Sequence, residues 1–370
     1  MTVPSTYSGR LAAAQRELAS RSAGLLIVGL SASLRYLTGF TDEPGERLLL
    51  LLVPRDGDPG FVVPGLYADQ VRAVTGFERL FVWADHEGPE SVLGAALSAF
   101  AQAPGAILVE DCLWSGFLLA CQKALPARSF GSGTPVLAPL RMHKAPEEVE
   151  LLRRAGAAAD EAFRRVIEGP FVGRTELDVA ASLVDAMRDA GADDVAFAPL
   201  VASGPAAALP HYRAGARRIE RGDVVILDYG CRCGGYCSDI SRTVSCGAPA
   251  RDVRAAYDAV RDAQRQAVDA VRPGVPAEEI DRAARDLLTA RGLGDRFIHR
   301  TGHGIGLDIH EPPYIVGGNR IPLEPGMSFS VEPGVYFPGR FGIRIEDVVV
   351  VSESNAIPMT TATHELTIVN

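Results

Sequence analysis

Two stretches of the chain repeat each other. Residues 172–181 align without gaps with residues 275–284. Each copy has a helical pattern, with another helical pattern before it (150–168 and 251–271) and strand-like sequence after it. Chance similarity between two alanine-rich helices would also give such a match. The whole pattern nevertheless predicts two related α-α-β halves that face each other, with a site between them.

The sequence before the repeat has a different organisation. With 370 residues, the chain is long enough for about two domains. Short apolar runs alternate with helical stretches, which is typical of a small α/β domain. Helices are predicted at residues 11–21 and 91–101, and strands at residues 25–30, 48–53 and 107–109.

A domain boundary is predicted near residue 140. Pro146 is followed by Glu147 and Glu148. Proline is tolerated in the first turn of a helix, and acidic residues stabilise its positive end, so a helix should begin here. We therefore expect an N-terminal domain over residues 1–140 and a second domain, which contains the repeat, over residues 141–370.

Charge and hydropathy exclude several classes of protein. The net charge of −9 argues against a nucleic-acid partner, which needs a basic surface. The acidic surplus lies in the second part, because residues 1–145 carry 12 basic and 13 acidic side chains and the remainder 25 and 33. The apolar runs are too short to span a membrane, and the N-terminus has no signal-peptide pattern. We expect a cytoplasmic protein, and its six cysteines do not suggest a disulfide scaffold.

Candidate chemistry lies at the ends of strand-like segments in the second part. Four carboxylates and one glycine-flanked histidine share this placement: Asp228, Asp239, His303, Glu332 and Glu346. The two aspartates lie on successive strands of a predicted hairpin with its turn at 234–235, and the two glutamates flank another with its turn at 338–339. A lone carboxylate in an apolar strand is costly unless it is paired or binds a metal. Each of these residues alone would suggest only a turn or a satisfied loop side chain.

Together, the five side chains predict a metal centre. Carboxylate oxygens with one imidazole nitrogen suit Mn²⁺, with Co²⁺, Fe²⁺ or Zn²⁺ as alternatives. Two divalent ions are expected rather than one, because two ions balance four negative charges. Paired metal ions are a common device for hydrolysis.

The same residues carry a resemblance to a known family. Residues 299–311, read with the carboxylates above, resemble the signature of the proline-specific metallopeptidases of the pita-bread fold, Xaa-Pro dipeptidase (prolidase) and aminopeptidase P. The resemblance covers nearly the whole chain. It implies an α+β fold, in which a C-terminal pita-bread (creatinase/aminopeptidase-like) domain with a pseudo-twofold repeat follows a small α/β N-terminal domain. Residues 141–370 would then be the catalytic domain.

The resemblance also implies a role for each metal ligand. Asp228 would chelate one metal, while Asp239 and Glu346 would bridge the two. His303 and Glu332 would complete the coordination of the second metal. Two such ions would activate a water molecule for hydrolysis, and Glu332 would accept and pass on its proton.

Further residues match substrate-binding and orienting positions of the family. His211 and His310 match two histidines that bind the substrate or its tetrahedral intermediate, and either would donate to the developing oxyanion. Arg344 matches an arginine that orients the carboxylates. His299 matches a histidine near the site.

One position departs from the family pattern. Many prolidases have an arginine four residues after the equivalent of His310, where it helps to bind the substrate's C-terminal carboxylate, but this chain has Tyr314. Arg47, in the N-terminal domain, is the candidate replacement, and Arg213 is the second choice. A solvated residue at the start of a strand is the alternative interpretation of Arg47.

Two other motifs are assigned no chemistry. Cys231, Cys233 and Cys237 lack a second Cys/His pair that could complete a structural zinc site. The glycines at 302, 304 and 306 lack the spacing of a dinucleotide loop, and we expect them to allow close backbone approach around His303.

The predicted function is therefore a dinuclear Xaa-Pro peptidase, more specifically a dipeptidase. Aminopeptidase P, which acts on longer Xaa-Pro peptides, is the first alternative. A non-catalytic peptide-binding protein of the same fold is a further one. Methionine aminopeptidase shares the five ligands but lacks this N-terminal domain. The expected partners are small peptides with proline at the second position, and a second copy of the chain in a homodimer.

Overall fold

The chain folds into two units. The computed structural model describes residues 4–370, and the division between the units falls between residues 141 and 142. Within residues 4–370, no helix combines the length and the apolar character that crossing a bilayer requires.

The first unit is built on a mixed sheet. Within residues 4–141 the sheet has the strand order β4-β3-β2-β1-β5-β6. Its strands are β1 (Leu25–Val28), β2 (Leu50–Pro54), β3 (Gly60–Pro64), β4 (Leu80–Trp83), β5 (Ile107–Val109) and β6 (Phe130–Ser132). The pairs β1–β5, β5–β6 and β3–β4 are parallel, whereas β1–β2 and β2–β3 are antiparallel. Every residue of β1, β2 and β3 is buried, which explains their uninterrupted apolar sequence.

Helices accompany this sheet. They are α1 (Ser5–Ser20), α2 (Ala32–Thr38), α3 (Ala68–Thr75), α4 (Glu90–Phe100), α5 (Ser115–Ala124) and α6 (Thr134–Met142), with a short 3₁₀ turn at Gly65–Tyr67. The predicted helices and strands of this region are confirmed to within a few residues. The exception is α1, which begins at Ser5 rather than near residue 11. Its buried residues Leu11, Ala14 and Leu18 lie on one face, so the apolar pattern becomes visible only after the first polar turns.

The second unit contains the repeat as two pairs of helices. The first pair is α7 (Pro146–Ile167) and α8 (Glu176–Asp189), and the second is α9 (Arg251–Ala270) and α10 (Ala277–Ala290). The predicted start of α7 at Pro146 is confirmed. Short 3₁₀ turns lie at Gly204–Ala208 and Gly294–Arg296.

The two copies use one aligned aspartate differently. Asp178 caps α8, because its carboxylate accepts from Thr175 N at 2.9 Å while the Thr175 hydroxyl accepts from Asp178 N. The aligned Asp281 of α10 instead accepts from the Thr301 amide at 3.1 Å and its hydroxyl at 2.8 Å. The second copy therefore anchors the segment that leads to His303.

Strands follow each pair of helices. They are β7 (Asp194–Val195), β8 (Leu200–Ser203), β9 (Val224–Tyr229), β10 (Cys231–Cys233), β11 (Tyr236–Cys237), β12 (Ile240–Cys246), β13 (Gly302–Gly304), β14 (Glu311–Ile315), β15 (Ser328–Val331), β16 (Gly334–Phe337), β17 (Phe341–Arg344), β18 (Asp347–Val351), β19 (Ala356–Pro358) and β20 (Thr367–Val369). Among residues 142–370 the main sheets have the orders β20-β12-β9-β8 and β14-β13-β15-β18-β19, with smaller sheets β11-β10-β7 and β16-β17. The α+β class and the repeated helix–helix–strand order are thus confirmed.

Both predicted hairpins are present. The turn at Gly234 and Gly235 joins β10 to β11, and both glycines have positive φ values, of 58° and 89°. The second turn, at residues 338–339, joins the antiparallel strands β16 and β17. These turns return the chain so that carboxylates distant in sequence lie at neighbouring strand ends.

Candidate metal centre

Three strands meet at the beginning of β12 and bring the carboxylates together. Ser241 of β12 pairs with Asp228 of β9 on one side and forms an isolated bridge with Glu346 on the other. Asp239 lies just before β12, and Glu332 directly follows β15. Ligand atoms of Asp239, His303 and Glu346 lie within 4.8 Å of one another.

His303 presents one nitrogen to this cluster. Its Nδ1 lies 3.1 Å from the Gly304 carbonyl oxygen, which can only accept, so Nδ1 carries the hydrogen. Nε2 therefore keeps its lone pair and lies 3.3 Å from Glu332 Oε1 and 3.6 Å from Asp239 Oδ2. Burial lowers the pKa of His303 to about 3, which keeps the ring neutral and able to bind a metal.

Glycines on both sides of His303 let other backbone segments approach closely, as predicted. A Cβ on Gly302 would lie 1.8 Å from the Ser330 carbonyl oxygen, and one on Gly304 would lie 2.3 Å from that of Pro312. Any side chain at these two positions would push the strands of the site apart.

The electrostatics of the cluster call for a cation. Burial and then the charge of Glu346 raise the pKa of Asp239 well above its ordinary value. Burial and then Glu332 do the same for the pKa of Glu346. Within residues 4–370, the buried Oδ1 atoms of Asp228 and Asp239 have no hydrogen-bond partner. Buried carboxylate oxygens without donors are costly unless a cation compensates them, so this donor set fits divalent metal ions.

A layer of hydrogen bonds behind the cluster fixes its geometry. Arg344 donates to Asp228 Oδ2, to Ser241 Oγ at 2.9 Å and to Tyr336 Oη at 2.9 Å. The Ser241 hydroxyl in turn donates to Glu346 Oε2 at 2.8 Å. Two carboxylates that face the centre are thereby oriented through a single guanidinium.

Tyr336 links this layer to His299. The Nδ1 atom of His299 donates to the Arg300 carbonyl at 2.7 Å, so its Nε2 accepts from the Tyr336 hydroxyl at 2.9 Å. Burial lowers the pKa of His299 to about 4, which agrees with a neutral ring. His299 therefore contributes to positioning Tyr336, and through it Arg344.

A cavity of about 470 Å³ opens onto the carboxylate cluster. The ring of His310 packs against that of His303 with 4.1 Å between centroids, and the exposed His211 also lines the cavity. Burial and the charge of Arg300 lower the pKa of His310, so it is a neutral hydrogen-bond donor near pH 7. Apolar side chains form another part of the wall: Phe197, Ala198, Leu200, Pro210 and Ile309.

The structure brings ten of the predicted site residues to this cavity and leaves two elsewhere. The ten are Asp228, Asp239, His303, Glu332, Glu346, His211, Arg213, His299, His310 and Arg344. Tyr314 is 37% exposed and is not among the lining residues. Arg47 belongs to the first unit, where it pairs with Asp85 at 3.0 Å and Glu46 at 2.9 Å.

Sequence analysis missed several residues that shape the site. Ser241 and Tyr336 lie in ordinary strand sequence, and only the pairing of distant strands gives them a role. Ser330 accepts from His303 N at 3.1 Å and donates to Glu332 Oε1 at 3.2 Å. Arg300 also lines the cavity, and its position inside the segment 299–311, directly after His299, is the signal that could have found it.

Cys231, Cys233 and Cys237 are not among the residues that line the cavity. Cys231 Sγ donates to the Ala155 carbonyl at 3.3 Å, and Cys237 Sγ to that of Leu307 at 3.8 Å. Burial raises the pKa of each of these thiols to about 12, so they stay protonated.

The raised pKa of Glu332 gives a stability prediction for the metal-free protein. Burial raises this pKa from its ordinary 4.5 to about 7. The stability that the protonated side chain provides is present below pH 4.5 and is lost as the pH rises through 7. Glu332→Gln should therefore raise the free energy of unfolding of the chelator-treated protein by about 3 kcal/mol near pH 8 and by little near pH 5. Urea unfolding at both pH values measures the difference, and an equal effect at the two values would contradict the assignment.

Comparisons with known proteins agree with this architecture. Residues 150–353 match the model of metallopeptidase family M24, and residues 10–143 match that of the creatinase/prolidase N-terminal domain. The chain is 43% identical over 367 residues to a probable dipeptidase PepE of Mycobacterium bovis, covering 98% of this chain and 96% of the relative. It is 35% identical to an Xaa-Pro dipeptidase of Lactobacillus helveticus, covering 91% of this chain and 92% of the relative. A crystal structure of a prolidase from Thermococcus sibiricus superposes with a TM-score of 0.94 at 37% identity, covering 98% of this chain and 99% of the other.

The predicted family and the pita-bread fold are thereby confirmed, and so is the prediction of an enzyme. The buried carboxylate cluster and the cavity beside it fit an enzyme that uses divalent metal ions to hydrolyse small peptides. The chain belongs to metallopeptidase family M24 and is a peptidase.

Proposed function

We propose that this peptidase is a dinuclear Xaa-Pro dipeptidase, which hydrolyses the bond before proline in a dipeptide. The observation that carries the proposal is the meeting of four carboxylates and one neutral imidazole at the end of one cavity. The names of the relatives support the same specificity. A cavity of about 470 Å³ is adequate for a dipeptide.

Five side chains would hold the metal ions. These residues are Asp228, Asp239, His303, Glu332 and Glu346. The predominance of carboxylate oxygens favours Mn²⁺. Bound divalent ions would supply acidified water and a polarised scissile carbonyl.

The chain's own residues would then move protons and stabilise charge. Glu332 accepts the proton of the attacking water and delivers it to the leaving nitrogen. That nitrogen belongs to a tertiary amide and must be protonated before it can leave. His310 and His211 donate hydrogen bonds to the carbonyl oxygen as negative charge develops on it. Arg344 acts through Asp228 and Ser241, so it is a positioning residue.

The test compares peptides that differ in one feature each. The Mn²⁺-loaded protein should cleave Ala-Pro, cleave Ala-Ala poorly, and lose its activity with EDTA. Preference for Ala-Pro-Ala over Ala-Pro would instead identify aminopeptidase P. No cleavage with any metal would favour the non-catalytic peptide-binding alternative.

Other expectations stay predictions. The role of Arg47 as an anchor for the substrate carboxylate is one, and an unchanged kcat/KM of Arg47→Ala on dipeptides would contradict it. The homodimer is another, and sedimentation equilibrium tests it. A cytoplasmic location and the division of labour between residues 1–140 and 141–370 are also predictions.

A further inference from the structure

Arg300 is a cavity residue whose charge has no protein partner. Its side chain lines the cavity and is half-buried. Across residues 4–370, no acceptor lies within hydrogen-bond or ion-pair distance of its guanidinium. By contrast, the neighbouring Arg344 is bonded to Asp228, and Arg285 is bonded to Asp281. A guanidinium that lines a cavity and has no protein acceptor is available to bind an anionic group of a ligand.

Tyr314 holds the guanidinium in place. The Cζ atom of Arg300 lies 4.5 Å from the centroid of the Tyr314 ring, within the range of a cation–π contact. Arg300 lies just before β13, and the antiparallel pairing of β13 with β14, in which Gly302 pairs with Ile315, brings this segment beside Tyr314. The Tyr314 carbonyl accepts from Asn319 Nδ2 at 2.6 Å, which fixes the strand behind the ring.

Arg300 lines the same cavity as the reacting groups. His310 and Glu332, the two residues that we assign to the scissile bond, also line this cavity. A ligand in the cavity can therefore contact the guanidinium and the reacting end at the same time.

On this basis, and resting on the proposed function, we infer that Arg300 binds the C-terminal carboxylate of the dipeptide and that Tyr314 positions it. In Xaa-Pro the carboxylate is one residue beyond the scissile carbonyl, so a cation near His310 can meet it while the bond lies at the metal centre. A guanidinium can bind a carboxylate through two parallel hydrogen bonds. The tyrosine at position 314, where many prolidases have an arginine, would thus hold in place an arginine from the segment that precedes β13.

Other arginines are less suited to this role. Arg213 lines the cavity but is exposed and has no aromatic contact among residues 4–370. Arg344 is committed to Asp228 and Tyr336. These differences make Arg213 the natural comparison.

The experiment removes the charge either from Arg300 or from the C-terminal carboxylate of the substrate. Arg300→Gln is assayed on Ala-Pro and on its C-terminal amide, alanyl-prolinamide. We expect kcat/KM for Ala-Pro to fall about 10- to 100-fold, mainly through KM, and that for the amide to change less than about threefold. Arg300→Lys should retain part of the activity on Ala-Pro that Arg300→Gln loses. Tyr314→Leu should lower kcat/KM for Ala-Pro by a smaller factor than Arg300→Gln does, and Tyr314→Phe should keep most of the activity. Arg320→Gln, a surface substitution of the same type, should affect neither substrate.

Binding of L-proline gives a readout independent of turnover. Calorimetry should show that Arg300→Gln weakens binding of L-proline but not of L-prolinamide. If the wild type cleaves neither Ala-Pro nor Ala-Pro-Ala, the proposed function fails, and proline binding still decides the role of Arg300. Equal losses on the acid and the amide would overturn the inference. So would an acid-specific loss that appears in Arg213→Gln or Arg47→Ala and not in Arg300→Gln.

Discussion

Asp239→Asn should abolish peptidase activity and make the metal-free protein more stable. The substitution keeps the shape of the side chain but removes a carboxylate that is only 4% exposed and that we assign as a metal ligand. We expect kcat/KM on Ala-Pro to fall at least about a thousandfold, which corresponds to about 4 kcal/mol. The metal content measured by mass spectrometry should fall from two ions per chain to one or none.

The stability change has the opposite sign, and this makes the prediction specific. Burial and the charge of Glu346 raise the pKa of Asp239, so at pH values above the ordinary pKa of 3.8 this side chain makes the metal-free protein less stable. Removing its charge should raise the Tm of the chelator-treated variant above that of the chelator-treated wild type. With Mn²⁺ present the order should reverse, because only the wild type gains the full binding energy.

A matched variant distinguishes the loss of any aspartate charge from the loss of a charge at the candidate metal centre. Asp185 is an aspartate of α8 whose side chain is 74% exposed, and it pairs only with Arg188 at 3.5 Å. Asp185→Asn should leave metal content, activity and Tm nearly unchanged. An Asp239→Asn protein that keeps two metal ions and full turnover would contradict the assignment, and so would a lower Tm of its metal-free form.

The carboxylates that meet at the cavity could be predicted because local sequence carries their signal. Asp228 ends an apolar strand before a glycine-containing turn, and Glu332 and Glu346 flank a hairpin whose turn is visible as proline and glycine. In each case a charged residue interrupts apolar sequence, and the cost of burying that charge implies a compensating cation.

The supporting residues could not be predicted because their roles depend on pairing between distant strands. Ser241 bonds Glu346 across 105 positions, and Arg344 reaches Asp228 across 116. The contact of Arg300 with Tyr314 similarly requires the register of β13 and β14, which shifts between His303 and Gly304. A one-residue change in register would turn such side chains to the other face of the sheet, so no local pattern reveals them.

A buried ion pair next to His310 supports the second large prediction. Lys144 Nζ donates to Glu311 Oε1 at 2.6 Å, and the two side chains are 2% and 4% exposed. Lys144→Met should lower the free energy of unfolding by about 3–5 kcal/mol, because the Glu311 carboxylate stays buried after its cation is removed. Urea unfolding of the Mn²⁺-free protein measures this loss.

The double variant tests whether charge is the cause. Lys144→Met combined with Glu311→Gln should recover most of the stability, since neutral groups of similar size replace both ions. A double variant that loses at least as much as Lys144→Met alone would show that packing around the lysine matters more than the pair. A loss below about 1 kcal/mol in the single variant would mean that the pair contributes no more to stability than an exposed ion pair does.

An arginine at position 144 should not give wild-type stability, although it keeps the positive charge. Only two of the 37 basic residues are lysines, so a lysine at position 144 departs from the general use of arginine in this chain. The space around the pair is narrow, because a Cβ on Gly306 would lie 2.5 Å from Glu311 Oε1 and 3.0 Å from Lys144 Cε. A planar guanidinium is wider than an ammonium group, so Lys144→Arg should remain destabilised despite its positive charge. If Lys144→Arg is as stable as the wild type, the site accepts either cation, and Gly306 is not needed to make room for the ion pair.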